Sequence, residues 1–161
     1  MKKVITLLML AVMSNLMAQS SEKDDIAILQ GIYGKDKTEI VNAFLELPAA
    51  EKAAFQPVYD SYEEERKALG REKIKIIDDY AVNYHKMTEE KADELAKALL
   101  KNNLAFEKLY GKTYTKAKKV LGAIKATKFI QVEIYLQTMI RFEIQDAIPF
   151  IDNLEDMELE D

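Results

Sequence analysis

Two apolar stripes of helical period, separated by only a few residues around Met87, constrain this chain more than any other feature. The first covers about residues 50–86 and carries Phe55, Tyr59, Tyr62, Leu69, Ile76, Ile77, Tyr80 and Tyr84. The second continues to about residue 121 and carries Leu95, Leu99, Phe106, Tyr110, Thr113, Ala117 and Val120. Steps of three, four and seven return a side chain to one face of a helix, so each stripe predicts one helix with a narrow, coiled-coil-like seam. A helix of about 35 residues is ~50 Å long at 1.5 Å per residue. Two such rods with so short a connection must fold back on each other. The expected fold is all-α, built on a long antiparallel helical hairpin. Pairing across the Met87 turn brings Tyr59 and Tyr62 toward Tyr110 and Tyr114, so an aromatic cluster is expected there.

Local signals set the ends of these helices. A short N-terminal helix is predicted over 36–47, with Ile40, Val41, Phe44 and Leu47 on one face. Pro48 stops it, because the residue before a proline is pushed away from helical angles. Pro57 lies inside the second helix and should kink it, and Gly70 and the charged Arg66 and Lys73 interrupt its stripe. Thr88 can cap the third helix, with Glu89 and Glu90 favourable at its positive end. Gly122 breaks the chain again. The last helix, about 124–147, has Phe129, Val132, Leu136, Ile140 and Ala147 on one face. Ile130, Ile134, Tyr135, Met139, Phe142 and Ile144 widen that face until only Gln131, Thr138, Arg141 and Gln145 form a clear polar strip. So wide an apolar face predicts a helix buried on most sides. With 5 Gly and 3 Pro the chain lacks the turn residues of an all-β fold.

The N-terminus reads as an address. Lys2 and Lys3 precede an apolar run over 4–13, and small or polar residues follow up to Ala18. This is the pattern of a secretory signal peptide over 1–18, shorter than the ~20 apolar residues of a spanning helix. Residues 19–35 read as a flexible lead-in, 36–151 as the helical domain and 152–161 as an acidic, solvated tail. Export would take the protein to the periplasm with no transmembrane segment after cleavage. The chain has no Cys, so packing alone must stabilise it in an oxidising compartment. Thiol catalysis and thiolate metal sites are excluded, and one His excludes paired-His zinc sites. No nucleophile–base arrangement, phosphate loop or dinucleotide fingerprint is present, so no catalytic residue and no cofactor are expected, and the chain does not read as an enzyme. His85 lies near Asp78, Asp79, Glu89 and Glu90, which reads as an exposed turn more readily than as a metal site. Glu133 and Glu143 interrupt the apolar faces of the last helix and are ~15 Å apart by rise, too far for joint acid–base work. Ion pairs to neighbouring Lys or Arg are expected instead.

Three predicted helix starts share a pattern: Leu47-Pro48-Ala49-Ala50-Glu51, Met87-Thr88-Glu89-Glu90-Lys91 and Leu121-Gly122-Ala123-Ile124-Lys125. Phe55 corresponds to Phe129 and Val58 to Val132 in the first and third copies. This resembles the Leu-Thr-x-x-Gln motif of the CpxP/Spy family of exported, all-helical proteins. The stretches Phe55-x-Pro57-x-Tyr59-x-x-Tyr62 and Phe129-x-Gln131-x-Glu133 and the ending Ile148-Pro149 are similar to its uncharacterised members. The resemblance covers about residues 36–151. It implies a dimer of curved helical hairpins and a role as an ATP-independent chaperone, as an inhibitor of an envelope-stress sensor, or as a metal-responsive sensor. It brings no catalytic residues.

Charge supplies the candidate binding residues. Removing residues 1–18 takes away Lys2 and Lys3 and shifts the net charge from −5 to −7. Residues 97–128 nevertheless hold nine lysines against Glu107 alone. Lys97, Lys101, Lys108, Lys112 and Lys119 fall in one narrow sector at 100° per residue. Such a strip is either a solvated face or a surface that steers acidic or unfolded partners. Nucleic acid is not the expected partner of an acidic, exported chain without a recognition motif. The expected function is chaperone-like binding of unfolded or misfolded envelope proteins. The alternative is an accessory regulator that docks on a membrane sensor protein. Homodimerisation is expected, because a rod this long leaves apolar surface to cover.

Overall fold

The computed structural model describes residues 37–146 and 148–151, and every regular element among them is helical. The expected signal peptide, lead-in and acidic tail lie outside the described residues, as do Asp36 and Ala147. Helix α1 is Lys37–Leu45 and α2 is Ala49–Asn83, followed by one 3₁₀ turn, Tyr84–Lys86. Helix α3 is Glu89–Asp146, divided at Gly122 into a first arm over 89–121 and a second arm over 123–146. Among the described residues no helix is long and apolar enough to cross a membrane.

Each break has a local cause. Helix α1 ends when Glu46 enters the left-handed region at φ 49°, with its amide bonded to the Asn42 carbonyl at 3.1 Å. Leu47 and Pro48 then lead into α2, which runs through Pro57 and Gly70 without interruption. The Thr88 hydroxyl accepts the Lys91 amide at 3.2 Å and caps α3. Gly122 has φ 78° and ψ 168°, a conformation that side-chain-bearing residues avoid. The chain reverses there.

Contacts between the helices follow consistent orders. Asp79 meets Lys91, Leu69 meets Asn102, and Glu65 meets Lys112, so α2 and the first arm run in opposite directions. Glu51 meets Lys125 and Tyr62 meets Glu133, so the second arm runs alongside α2 in the same direction. The core lies where all of these elements overlap. Phe129 is its centre: its ring lies 5.0 Å from Phe55, 5.5 Å from Tyr62 and 6.1 Å from Tyr59. Tyr62 in turn lies 6.5 Å from Tyr110. The aromatic cluster therefore forms, but around Phe129 of the second arm. Tyr114 is only half-buried at its margin.

Three expectations about burial are corrected. The last helix is not buried on most sides. Ala126, Phe129, Val132, Leu136 and Ile140 face the core, while Ile134, Tyr135 and Phe142 are exposed. Its neighbours can cover only the side they touch, whatever the width of the apolar face. Val120 is exposed near the end of the first arm, where that arm runs out toward Gly122. Phe44 is exposed on α1, and the Lys128 ammonium lies 5.2 Å from its ring centre.

Candidate functional site

Four charges gather where α1 lies against the middle of α2 and of the second arm. Lys37 donates to Glu133 at 2.6 Å and to Glu63 at 2.5 Å, and Arg66 donates to Glu63 at 3.1 Å. Tyr62 donates its phenolic proton to the second oxygen of Glu133 at 2.7 Å. The Lys37 ammonium also lies 5.1 Å from the Tyr62 ring centre. Glu133 is fully buried. Burial alone would push the Glu63 carboxyl up, but Lys37 and Arg66 outweigh it and hold it below the usual range. Burial and the facing Glu133 push the Tyr62 phenol well up. Two cations balance two anions, and every carboxylate has a donor. This arrangement ties α1 to α2 and the second arm. It is a structural clasp, and the ion pair expected of Glu133 is with Lys37. Glu143 is exposed on the same helix.

The lysine strip is on the surface. Lys97, Lys101, Lys108, Lys112 and Lys119 are all exposed. They differ in how much charge they offer. Lys97 pairs with Asp93 at 2.5 Å, and Lys112 pairs with Glu65 of α2 at 2.6 Å. Lys101, Lys108 and Lys119 form no ion pair among the described residues. Neighbouring α2 therefore reduces the positive field that the sequence of α3 alone suggests.

Beside these lysines lie two residues that sequence reasoning missed. Leu100 is 67% and Leu104 is 54% exposed, one turn apart. They lie within ~60° of the lysine sector at 100° per residue. Their spacing from Leu95 and Leu99 was the available signal: a helix that packs along Leu95, Leu99 and Phe106 turns Leu100 and Leu104 away from α2. A surface groove of about 370 Å³ adjoins the strip, with Ala68, Leu69, Ala105 and Leu109 on its floor and Glu65, Lys108 and Lys112 around it.

The Met87 end has a second, larger groove of about 580 Å³ between α2, the first arm and the end of the second arm. Tyr80 and Tyr84 donate to the carbonyls of Pro149 and Phe150, at 2.7 and 2.9 Å, and so hold that segment along it. Lys73 and Arg141 both line it. His85 is exposed and stacks edge-on to Tyr84 at 5.0 Å. Among the described residues, no group of three or more His, Asp or Glu side chains is arranged to hold a metal ion.

Compared with protein-family models, with curated proteins and with solved structures, the chain matches none.

Proposed function

We propose that this chain is an exported, chaperone-like protein that holds unfolded or misfolded envelope proteins without ATP. The observation that carries the reading is exposed Leu100 and Leu104 beside the ammonium groups of Lys101 and Lys108, which form no ion pair among the described residues. Leaving a leucine exposed forgoes ~1.5–3 kcal/mol of burial. A client segment that covers both leucines recovers part of that free energy. The lysines draw in acidic segments, and their stems extend the apolar contact. Contacts this small exchange quickly, so a client is held back from aggregation while staying free to fold. The resemblance of the helix starts to the CpxP/Spy family points to the same role and to the periplasm. In this reading α2 and the first arm form a long antiparallel hairpin, supported by their reverse-order contacts. The protein acts as a homodimer, for which exposed Ile134 and Tyr135 supply an apolar face.

Light scattering of an aggregating, chemically unfolded client tests the reading. The protein should suppress scattering near stoichiometric amounts without ATP. Suppression should weaken from low salt to ~0.15 M, where the screening length falls to ~8 Å. Lys101→Glu with Lys108→Glu should weaken it further, and Leu100→Ser with Leu104→Ser should remove most of it. No suppression across several clients overturns the reading. Saturation of one sensor protein at a fixed ratio would then establish the regulator.

A further inference from the structure

The groove at the Met87 end differs in chemistry from the lysine strip. Its walls include Ile76 and Ile77 of α2, Leu99 of the first arm, and Phe142 of the second. Its volume falls in the ~300–1,000 Å³ range of small-molecule sites. At one place this apolar lining is interrupted by two cations. Arg141 lays its guanidinium 5.3 Å from the Phe106 ring centre, and its Nε and Nη2 are buried without a hydrogen-bond acceptor among the described residues. Among the described residues Lys73 donates only to the neutral Asn103 amide oxygen, at 3.1 Å.

Neither cation forms an ion pair among the described residues. The contrast with Lys37 and Arg66, each bonded to a carboxylate, is direct. Burial, and then repulsion from Arg141, pushes the Lys73 ammonium down to about 8. A half-buried guanidinium ordinarily meets a carboxylate or phosphate, which its fork of donors matches. Here the matching anion has to come with an apolar body, because the rest of the groove offers mostly hydrocarbon. A peptide backbone laid on those walls would bury amides without partners, whereas an acyl chain has none to satisfy.

We propose that this groove binds a single-chain anionic amphiphile, with its head on Arg141 and Lys73 and its acyl chain along Ile76, Ile77, Leu99 and Phe142. Carboxylate and phosphate heads share the chemistry. Calorimetric titration of the purified protein with palmitate, hexadecyl phosphate, hexadecanol, acetate and inorganic phosphate tests it. Palmitate or hexadecyl phosphate should bind at one molecule per chain, and the tighter of the two identifies the head. Hexadecanol should bind at least tenfold more weakly, and acetate and phosphate should give no signal at millimolar concentration.

Arg141→Gln should weaken amphiphile binding tenfold or more. Lys73→Met gives a second reading should Arg141→Gln fail to fold. Lys101→Glu with Lys108→Glu should leave the affinity unchanged, so this site and the client surface stand or fall separately. Equal binding of hexadecanol, indifference to both groove variants, or loss through the strip variant overturns the proposal. So does the absence of amphiphile binding by the folded protein, the outcome expected if the acidic segment 152–161 or a second copy of the chain fills the groove.

Discussion

In its first half α2 buries Phe55, Tyr59, Tyr62 and Arg66, and after Arg66 it buries no residue fully. The two halves belong to one helix and one apolar stripe. They differ in what lies against them. The first half meets α1 and the Phe129 region of the second arm as well as the first arm, and its enclosed charges, Glu63 and Arg66, have partners. The second half meets the first arm but lies beside an open groove, and its Lys73 and the neighbouring Arg141 have no carboxylate among the described residues. A periodic stripe sets which side of a helix faces inward. The number of neighbours sets how much of that side is sealed.

Substitutions can break this contrast. Phe129→Ala removes the centre of the aromatic cluster and should cost about 4 kcal/mol in urea unfolding, in the range of large core truncations. Ile76→Ala, in the open half, should cost about 1 kcal/mol, since a half-buried side chain leaves a smaller cavity and less lost burial. Equal costs would show that the two halves are equally packed. Glu133→Gln should cost about 3 kcal/mol, because it leaves the buried Lys37 short of a counter-charge. Replacing the pair together, Lys37→Met with Glu133→Leu, should recover much of that loss.

Acid sharpens the same contrast through Glu63. Its folded-state pKa is depressed, so the stabilisation it brings is present above its unfolded value of ~4.3 and is lost as pH falls through the folded value. Thermal melting should therefore drop from about pH 5 downward, and Glu63→Gln should flatten that drop. The smallest effects separate two glycines. A Cβ added at Gly111 or at Gly122 meets no atom within 4 Å, so space does not distinguish them. Gly111 is inside the first arm, and Gly111→Ala should stabilise by about 0.5–1 kcal/mol. Gly122→Ala must hold φ near 78° and should destabilise by about 1–2 kcal/mol. Melting temperatures moving in opposite directions would check this.

Much of the fold was legible where one residue acts on its own backbone. Thr88 caps α3, Gly122 ends the first arm, and the stripes of Phe55, Tyr59, Tyr62 and of Leu95, Phe106, Tyr110 face inward as their spacing predicts. The lysines of the candidate strip were legible as a sector, because helical periodicity places them without reference to anything else. Their pairing was not. Glu65 neutralises Lys112 across 47 residues of sequence, and Lys37 reaches Glu133 across 96. Arg141 read as part of a polar strip, yet its guanidinium turns onto Phe106.

By itself the sequence determined helix positions, their caps and breaks, and the inward side of each, because these depend on dihedral preference and on neighbours within one or two turns. The tertiary structure decided which charges are matched, which apolar residues stay exposed, and where a groove opens. Those outcomes depend on how many helices surround a given turn, and distant segments meet only when the chain has reversed at Met87 and at Gly122.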